Sequence, residues 1–314
     1  AAAVIVTDTA NRGKLDETDL GSPKPKIITV AGDESPPAAG DVDFQSALDG
    51  ATAHESPVSV TGDDLLILIY TSGTTGSPKG VEVPVKALAS FESYLRCGLD
   101  VRDDDVYWNM ADPGWAYGLF YALAGPLLLG KPVIFLNAPF DVEGTYRFLE
   151  RHQVTNATTA PTVFRMMRAA GSLPSDKPVL QLRLASCAGE PLNPEVVNWI
   201  ARRHFCPVKD HYGQTETGMT CCNFHGLEHT IRQGSMGYSS PGHRVVALNE
   251  KNEEVGAGEI GQLAVDIKAS PLFHFDGYTW GEKDPFVNGY YLTGDGGRYD
   301  EDGYLFIVDR KKDI

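Results

Sequence analysis

Tyr70-Thr71-Ser72-Gly73-Thr74-Thr75-Gly76-Ser77-Pro78-Lys79-Gly80, entered from the apolar residues 65–69, is the stretch on which the reading of this chain turns. A strand that empties into glycines, hydroxyls and one lysine presents backbone N–H groups and hydroxyl donors with nothing apolar in the way, which is what an anion requires. The spacing is not that of the common nucleotide loop, GxxxxGK[ST], because the fifth residue after Gly73 is Pro78 and Lys79 is followed by Gly80. The glycines allow positive φ or close backbone approach, Pro78 stiffens the exit, and Lys79 brings a point charge on a flexible stem. Composition alone describes equally a polar surface loop between a strand and a helix.

Around this run the hydrophobic pattern alternates. Residues 65–70, 106–109, 133–136, 154–158, 182–186 and 208–211 are strand-like, and residues 84–97, 117–129, 142–152, 161–170 and 194–204 carry helical spacing. Alternation of this kind predicts crossover units, largely parallel sheets with flanking helices, and an α/β fold class. Ligands of such sheets sit beyond the carboxyl ends of strands, where the cradle follows Tyr70. Two short β-rich runs, 3–6 and 27–30, precede it, and after residue 230 short runs at 245–248, 260–267, 290–293 and 304–308 predict a small β-rich subdomain. The expected division is therefore 1–230 and 231–314.

Bulk properties exclude several classes. The chain has 314 residues, enough for one large or two ordinary cores, and a net charge of −15 from 27 basic and 42 acidic residues. Nucleic acid and anionic membrane would be repelled over most of such a surface. No apolar run reaches bilayer-spanning length, and residues 1–6 lack the basic flank of a signal peptide. Five cysteines, odd in number and without a CxxC pair, suggest neither a disulfide framework nor a zinc site, and a reducing cytoplasm is the expected location. The eight histidines show no HExxH spacing, and there is no GxSxG elbow.

Four more stretches concentrate chemistry. Asp210-His211-Tyr212-Gly213-Gln214-Thr215-Glu216 places a ring able to stack on a purine beside a carboxylate of the hard-oxygen type that magnesium takes, or else forms a polar turn. Gly189-Glu190-Pro191 reads on its own as a helix-starting turn. Asp295 and Arg310 lie in two strand-like runs. A carboxylate and a guanidinium there suit the two hydroxyls of a ribose, or form a surface ion pair on a hairpin. Trp115 and Tyr117 stand among small residues, as core or as a pocket wall.

Taken together, TSGTTGSPKG, the GEP turn, YGQTE, YLTGD and the DR pair resemble the adenylate-forming (AMP-binding) superfamily: acyl-CoA synthetases, aryl-CoA ligases, luciferases and peptide-synthetase adenylation domains. The resemblance runs from residue 65 onward. It implies a fold like the N-terminal domain of an acyl-CoA synthetase, with residues 1–230 binding nucleotide and acyl group. Thr71, Ser72, Gly73, Thr74, Thr75, Gly76 and Lys79 would cradle the phosphates of ATP. Gly189, Glu190 and Pro191 would follow the adenine edge and Tyr212 its face, with Asp210, His211, Gly213 and Gln214 in the same nucleotide loop. Thr215 would meet the α-phosphate, Glu216 would hold Mg2+, and Asp295 and Arg310 would bind the ribose. Lys79, Thr215 and Glu216 would be the catalytic set, and Trp115, Tyr117 and Gly213 would border the acyl pocket. One departure is Val83-Pro84, where members often carry a polar pair containing histidine.

The activity so implied is that of an acid–thiol ligase, an ATP-dependent carboxylate–CoA ligase. It would form an acyl-adenylate and then a thioester with coenzyme A. Its partners would be a small carboxylic acid, ATP and coenzyme A. Glycine at position 213, where acetyl-CoA synthetases typically carry tryptophan, implies an open pocket and short- to medium-chain fatty acids. The other readings are an acetyl-CoA synthetase, an adenylation domain loading a carrier protein, and a non-catalytic nucleotide-binding fragment. Members are longer than 314 residues. The resemblance sets Lys312 at the hinge to a C-terminal domain whose lysine drives adenylation, so the chain is expected to be most of an N-terminal domain.

Overall fold

The computed structural model describes residues 2–32, 36–52, 56–72, 78–171, 180–190, 192–204, 206–279 and 285–310, and of residues 72, 204, 309 and 310 the backbone only. Two compact units divide the chain, Ala1–Ser59 and Val60–Ile314. The first is a parallel three-stranded sheet of β1 (Val4–Asp8), β2 (Lys26–Val30) and β3 (Val42–Asp43), followed by α1 (Phe44–Asp49). The helix starts where it does because the Asp43 side chain accepts the Ser46 N–H at 2.8 Å, satisfying one of the donors a helix start leaves open.

The second unit opens on a hairpin. β4 (Leu65–Ser72) pairs antiparallel with β5 (Pro78–Pro84), with Thr71 opposite Lys79 and Ser72 opposite Pro78. The glycine-rich residues 73–77, which lie outside the described residues, thus join two antiparallel strands. This corrects the expectation that the first strand leads by a loop into a crossover helix. Residues 78–84 are a ladder strand, and helix begins at Ala87.

Behind the hairpin stands a six-stranded sheet. Its strands are β6 (Tyr107–Asn109), β7 (Asn156–Thr159), β8 (Leu184–Ala188), β9 (Val208–Gln214), β10 (Gly218–Cys222) and β11 (Tyr238–Ser239), in the order 11-10-9-8-7-6. β6 to β9 are parallel and the last two pairings antiparallel. The helices are α2 (Ala87–Ser93), α3 (Ala116–Gly118), α4 (Gly125–Leu128), α5 (Val142–Arg151), α6 (Pro161–Ala169) and α7 (Pro194–His204). Wider π-type turns continue α2 through Tyr94–Gly98 and join α3 to α4 through Leu119–Ala124. Phe91 stacks on Phe120 at 4.6 Å, so the α2 and α3–α4 segments bury each other's aromatic faces. All five residues of β8 are buried, as expected for a parallel strand covered on both faces.

The third sheet is the predicted β-rich part. β12 (Val245–Leu248), β13 (Gly261–Asp266), β14 (Phe286–Val287), β15 (Tyr290–Tyr299) and β16 (Leu305–Arg310) pair throughout antiparallel, with β15 at the centre. The strand expected at 133–136 is not there. Ile134 packs beside Trp108 and Leu149, while Phe135 and Leu136 are exposed and the segment joins no ladder. Apolarity put one side chain into the core, but a strand also needs a neighbour for its backbone.

Four histidines are held neutral by burial: His211 lowered to about 3, His225 to about 2, His243 and His274 to about 4. Unfolded, each titrates near its ordinary value of about 6.5. Below that pH the unfolded chain binds protons that the folded chain refuses, so stability falls as pH drops. Asp210, raised by burial to about 7, opposes the trend with one group against four. His225→Gln keeps a donor for the Ala185 carbonyl, which His225 Nε2 approaches at 3.0 Å. Urea unfolding of this variant between pH 6.5 and 4 should give a slope of stability against pH shallower by about one proton. An unchanged slope would show that His225 titrates normally in the fold.

Candidate active site

The hairpin, the end of the parallel sheet and the antiparallel sheet meet at one place. β9 runs through His211, Tyr212, Gly213 and Gln214, so the stretch expected as a loop is mostly strand, and the turn is confined to residues 215–217. Strand alternation sends Tyr212 and Gln214 to the same side. There the Tyr212 hydroxyl donates to Asp295 Oδ2 at 2.6 Å, and Gln214 Nε2 donates to Asp295 Oδ2 and to the Thr293 carbonyl, both at 2.9 Å. Gln214 Oε1 accepts the Tyr291 hydroxyl at 2.9 Å. Asp295 is buried, and burial together with this carboxylate raises the Tyr212 phenol well above its usual range. In the β15–β16 ladder Arg310 is the Cα partner of Asp295, so the two expected ribose residues are backbone neighbours.

The turn then delivers Glu216 to Lys79. Lys79 Nζ lies 3.2 Å from Glu216 Oε1 and 2.8 Å from the Tyr278 hydroxyl, which itself donates to Glu216 Oε1 at 2.8 Å. Burial works against the Lys79 ammonium, but the phenol oxygen and the carboxylate outweigh it and its pKa is raised. Opposite Lys79, the Thr71 hydroxyl is buried and has no hydrogen-bond partner among the described residues. Thr215, half-buried, sits in the turn. Lys79, Thr71, Thr215, Glu216, Tyr212 and Asp295 are therefore brought to one region of the second unit. Gly73, Thr74, Thr75, Gly76 and Pro191 lie outside the described residues.

Other expected residues are used differently. Asp210 accepts the N–H groups of Leu192 (3.2 Å) and His211 (3.0 Å). His211 Nδ1 is 2.7 Å from the Tyr94 hydroxyl, and its Nε2 is 3.2 Å from the Asn223 carbonyl. His211 lies on the face of β9 opposite Tyr212 and Asp210 on the same face as Tyr212, and the hydrogen bonds of both side chains are made to the protein itself. Gly189 has φ of 94°, a conformation that favours glycine, while the Glu190 carboxylate is held on the surface by Arg165 and by the Thr162 hydroxyl at 2.7 Å.

The acyl-pocket set is corrected most. Trp115 is 76% exposed at the start of α3. Tyr117 is half-buried, its hydroxyl 2.8 Å from that of Tyr94 and 3.0 Å from Thr158 Oγ1. A Cβ at Gly213 would stand 2.0 Å from the Gly218 carbonyl oxygen and 2.7 Å from Met219 Cα. Glycine here lets β9 and β10 approach at the irregular step of their register, and it opens no pocket. Sequence reasoning missed Tyr278, and it quoted Tyr291 and Thr293 within YLTGD without giving either a role. Tyr278 follows an Asp-Gly pair with no motif around it, 199 residues from the lysine it touches.

A family model described as AMP-binding enzyme matches residues 1–270. The chain belongs to the AMP-binding enzyme family. It is 34% identical to the acetyl-coenzyme A synthetase of Methanothrix soehngenii, over 100% of this chain and 51% of that protein. Among solved structures it is similar to the acyl-CoA synthetase of Brucella canis, with 46% identity, a TM-score of 0.91, and coverage of 99% of this chain and 57% of that one. ATP-bound MatB from Rhodopseudomonas palustris is similar at 26% identity and a TM-score of 0.84, with coverage of 99% and 60%. The chain spans about half the length of the curated relatives it matches.

The geometry at Gly213 gives a direct expectation. Gly213→Ala forces backbone movement between β9 and β10 and should destabilise the fold by about 1–3 kcal/mol, measured by chemical denaturation. A variant as stable as the parent would mean that the strands separate there without cost.

Proposed function

We propose that the chain is the nucleotide- and acid-binding part of an AMP-forming carboxylate–CoA ligase acting in the cytoplasm. The observation that carries this reading is the convergence of Lys79 and Glu216, 3.2 Å apart, with Tyr212 and Asp295 alongside. Membership of the AMP-binding family supports it, as do the similarities to proteins named acetyl-coenzyme A synthetase and acyl-CoA synthetase and to ATP-bound MatB. In the reaction, an oxygen of a carboxylate substrate attacks the α-phosphorus of ATP, the bond to the β-phosphate oxygen breaks, and pyrophosphate leaves. The sulfur of coenzyme A then attacks the acyl carbon of the adenylate, releasing AMP and a proton.

The chain's contribution is electrostatic and positional. Lys79 and the N–H and hydroxyl donors of residues 71–76 hold the phosphates, and the Thr71 hydroxyl, buried and without a hydrogen-bond partner among the described residues, fits such a role. Thr215 meets the α-phosphate. Asp295, oriented by Tyr212 and Gln214, accepts the ribose hydroxyls, since a carboxylate offers about four lone-pair sites. Arg310 donates to the same sugar, Tyr212 lines the adenine side, and Gly189, Glu190 and Pro191 follow the base edge. Among the described residues no group of three or more His, Cys, Asp or Glu could hold a metal alone. Glu216 by itself fits Mg2+, which is commonly held by one or two carboxylates plus substrate phosphates. Bound there, Mg2+ would neutralise phosphate charge.

A short acid is favoured at the acyl end. The space expected beside Gly213 is filled by β10, and the rings of Tyr94, Tyr117 and Tyr121 pack on one another within 6.4 Å. The full-length protein, assayed with ATP, coenzyme A and acetate, butyrate or octanoate, should prefer the two shorter acids by at least about tenfold in kcat/KM. A preference for octanoate would overturn this reading of the pocket. For the nucleotide, Asp295→Ala removes charge-assisted acceptors worth about 1.5–3 kcal/mol each and should weaken ATP at least about tenfold by calorimetry, with Asp295→Asn intermediate. Unchanged affinity in both variants would remove Asp295 from the ribose.

A further inference from the structure

The Gln214 amide spans an irregular step in β15. The ladder between β13 and β15 is regular where Tyr291 faces Val265 and Leu292 faces Ala264, and it resumes where Gly296 faces Gln262, so β15 carries extra residues between those points. Asp295 stands within this bulge, where pairing with β13 does not fix the direction of its side chain. Gln214 reaches across from β9. Its Nε2 donates to the Thr293 carbonyl and to Asp295 Oδ2, and its Oε1 accepts the Tyr291 hydroxyl, all at 2.9 Å. One amide is thus bonded to β15 on the regular side of the bulge and inside it.

Chemistry dictates the direction of these bonds. A backbone carbonyl can only accept, so the NH2 end of Gln214 must face Thr293, and its two N–H bonds go to Thr293 and Asp295. Turning the amide over would set Oε1 against a carbonyl oxygen and a carboxylate oxygen, so the Tyr291 hydroxyl is left to donate. Tyr291 has little freedom. It is 2% exposed, its backbone is flanked by Val265 of β13 and Phe286 of β14, and its ring centre lies 5.6 Å from that of Phe275 and 5.7 Å from that of Phe273. Burial holds its phenol well above the usual range, so it keeps its proton at neutral pH and remains a donor.

Resting on the reading of Asp295 as the ribose acceptor, we infer that Tyr291 is a positioning residue: through Gln214 it holds Asp295 in the orientation that accepts a pair of ribose hydroxyls, and so sets the preference for a ribonucleotide over its 2′-deoxy counterpart. A carboxylate that swings loses the geometry two hydroxyls require before it loses the ability to accept one, because a paired contact fixes plane as well as distance. Loosening the relay therefore weakens the ribonucleotide more than the deoxynucleotide.

The test titrates ATP and 2′-deoxy-ATP, each with excess Mg2+, into the parent chain, Tyr291→Phe, Gln214→Met and the double variant, followed by calorimetry. The parent should bind ATP at least about tenfold more tightly than 2′-deoxy-ATP, since the latter lacks one hydrogen bond to a charged group. Tyr291→Phe keeps the ring and its packing and removes only the hydroxyl. The ratio should then fall to about threefold or less, with ATP weakened and 2′-deoxy-ATP nearly unmoved. An unchanged ratio would overturn the inference even if both nucleotides bound more weakly, because a general loosening of the fold affects the two alike. Gln214→Met should bring the ratio to the same value, and adding Tyr291→Phe should move it no further. A Gln214→Met ratio like that of the parent, or a further fall in the double variant, would show that Tyr291 does not act through Gln214 and would equally overturn the inference. A parent that binds both nucleotides alike would defeat the ribose role of Asp295, one that binds neither would defeat the nucleotide reading, and the inference falls with either.

Discussion

Two side chains of one strand, Tyr212 and Gln214, reach out of the parallel sheet and are hydrogen-bonded by Asp295 and Thr293 of the antiparallel sheet. This buried seam is the joint on which the rest of the second unit is hung. Polar groups removed from water must find partners, and a phenol, an amide and a carboxylate that satisfy one another leave little latitude in how the sheets meet. Glu216 follows Gln214 by two residues and Asp295 is itself part of the seam, so the reach between the proposed metal and ribose groups is set by the same contacts. Gly213, between the two seam residues, completes the constraint because only its missing side chain lets β10 lie against β9.

That rigidity matters in a chain of net charge −15 that is proposed to bind a polyanion. Long-range attraction cannot help it, and salt screens exposed charges beyond about 8–10 Å in any case. Affinity then has to come from short-range donors: Lys79, the Thr71 hydroxyl and the backbone of the glycine-rich run. Among the described residues the Glu216 carboxylate is compensated by Lys79 and Tyr278, which limits its repulsion of a phosphate.

Local pattern made most of the second unit legible before any coordinates. The alternation from residue 106 to 211 corresponds to β6–β9 and their helices within a few residues, because spacing of apolar side chains is a local property. What failed depends on partners far along the chain. Residues 65–72 and 78–84 pair antiparallel because β5 finds β4, and a polar Pro-Lys-Gly exit gives no sign of that ladder. Residues 133–136 have the composition of a strand and no neighbour. Gly213 was read as space when it marks close backbone approach, a distinction carried only by what faces it. Tyr278 touches Lys79 across 199 positions, and no periodicity reports such a contact.

Burial subdues two titratable groups of β9 beside the seam. Along β9, burial pushes Asp210 up to about 7 and His211 down to about 3, so each leans toward its neutral form, and each is tied to backbone or to Tyr94. Tyr212 and Gln214, on the face of β9 opposite His211, are neutral donors trained on a carboxylate. Full charges at Asp210 and His211 would impose their own field on the proposed nucleotide at low dielectric, where unit charges act strongly over several ångströms. With those two subdued, the field at the site comes, among the described residues, chiefly from Lys79, Glu216 and Asp295, three groups held by hydrogen bonds at defined positions. Charge is therefore present where the proposed phosphates and ribose lie and subdued in the scaffold beneath them, the condition under which electrostatic preorganisation can distinguish a transition state from its ground state.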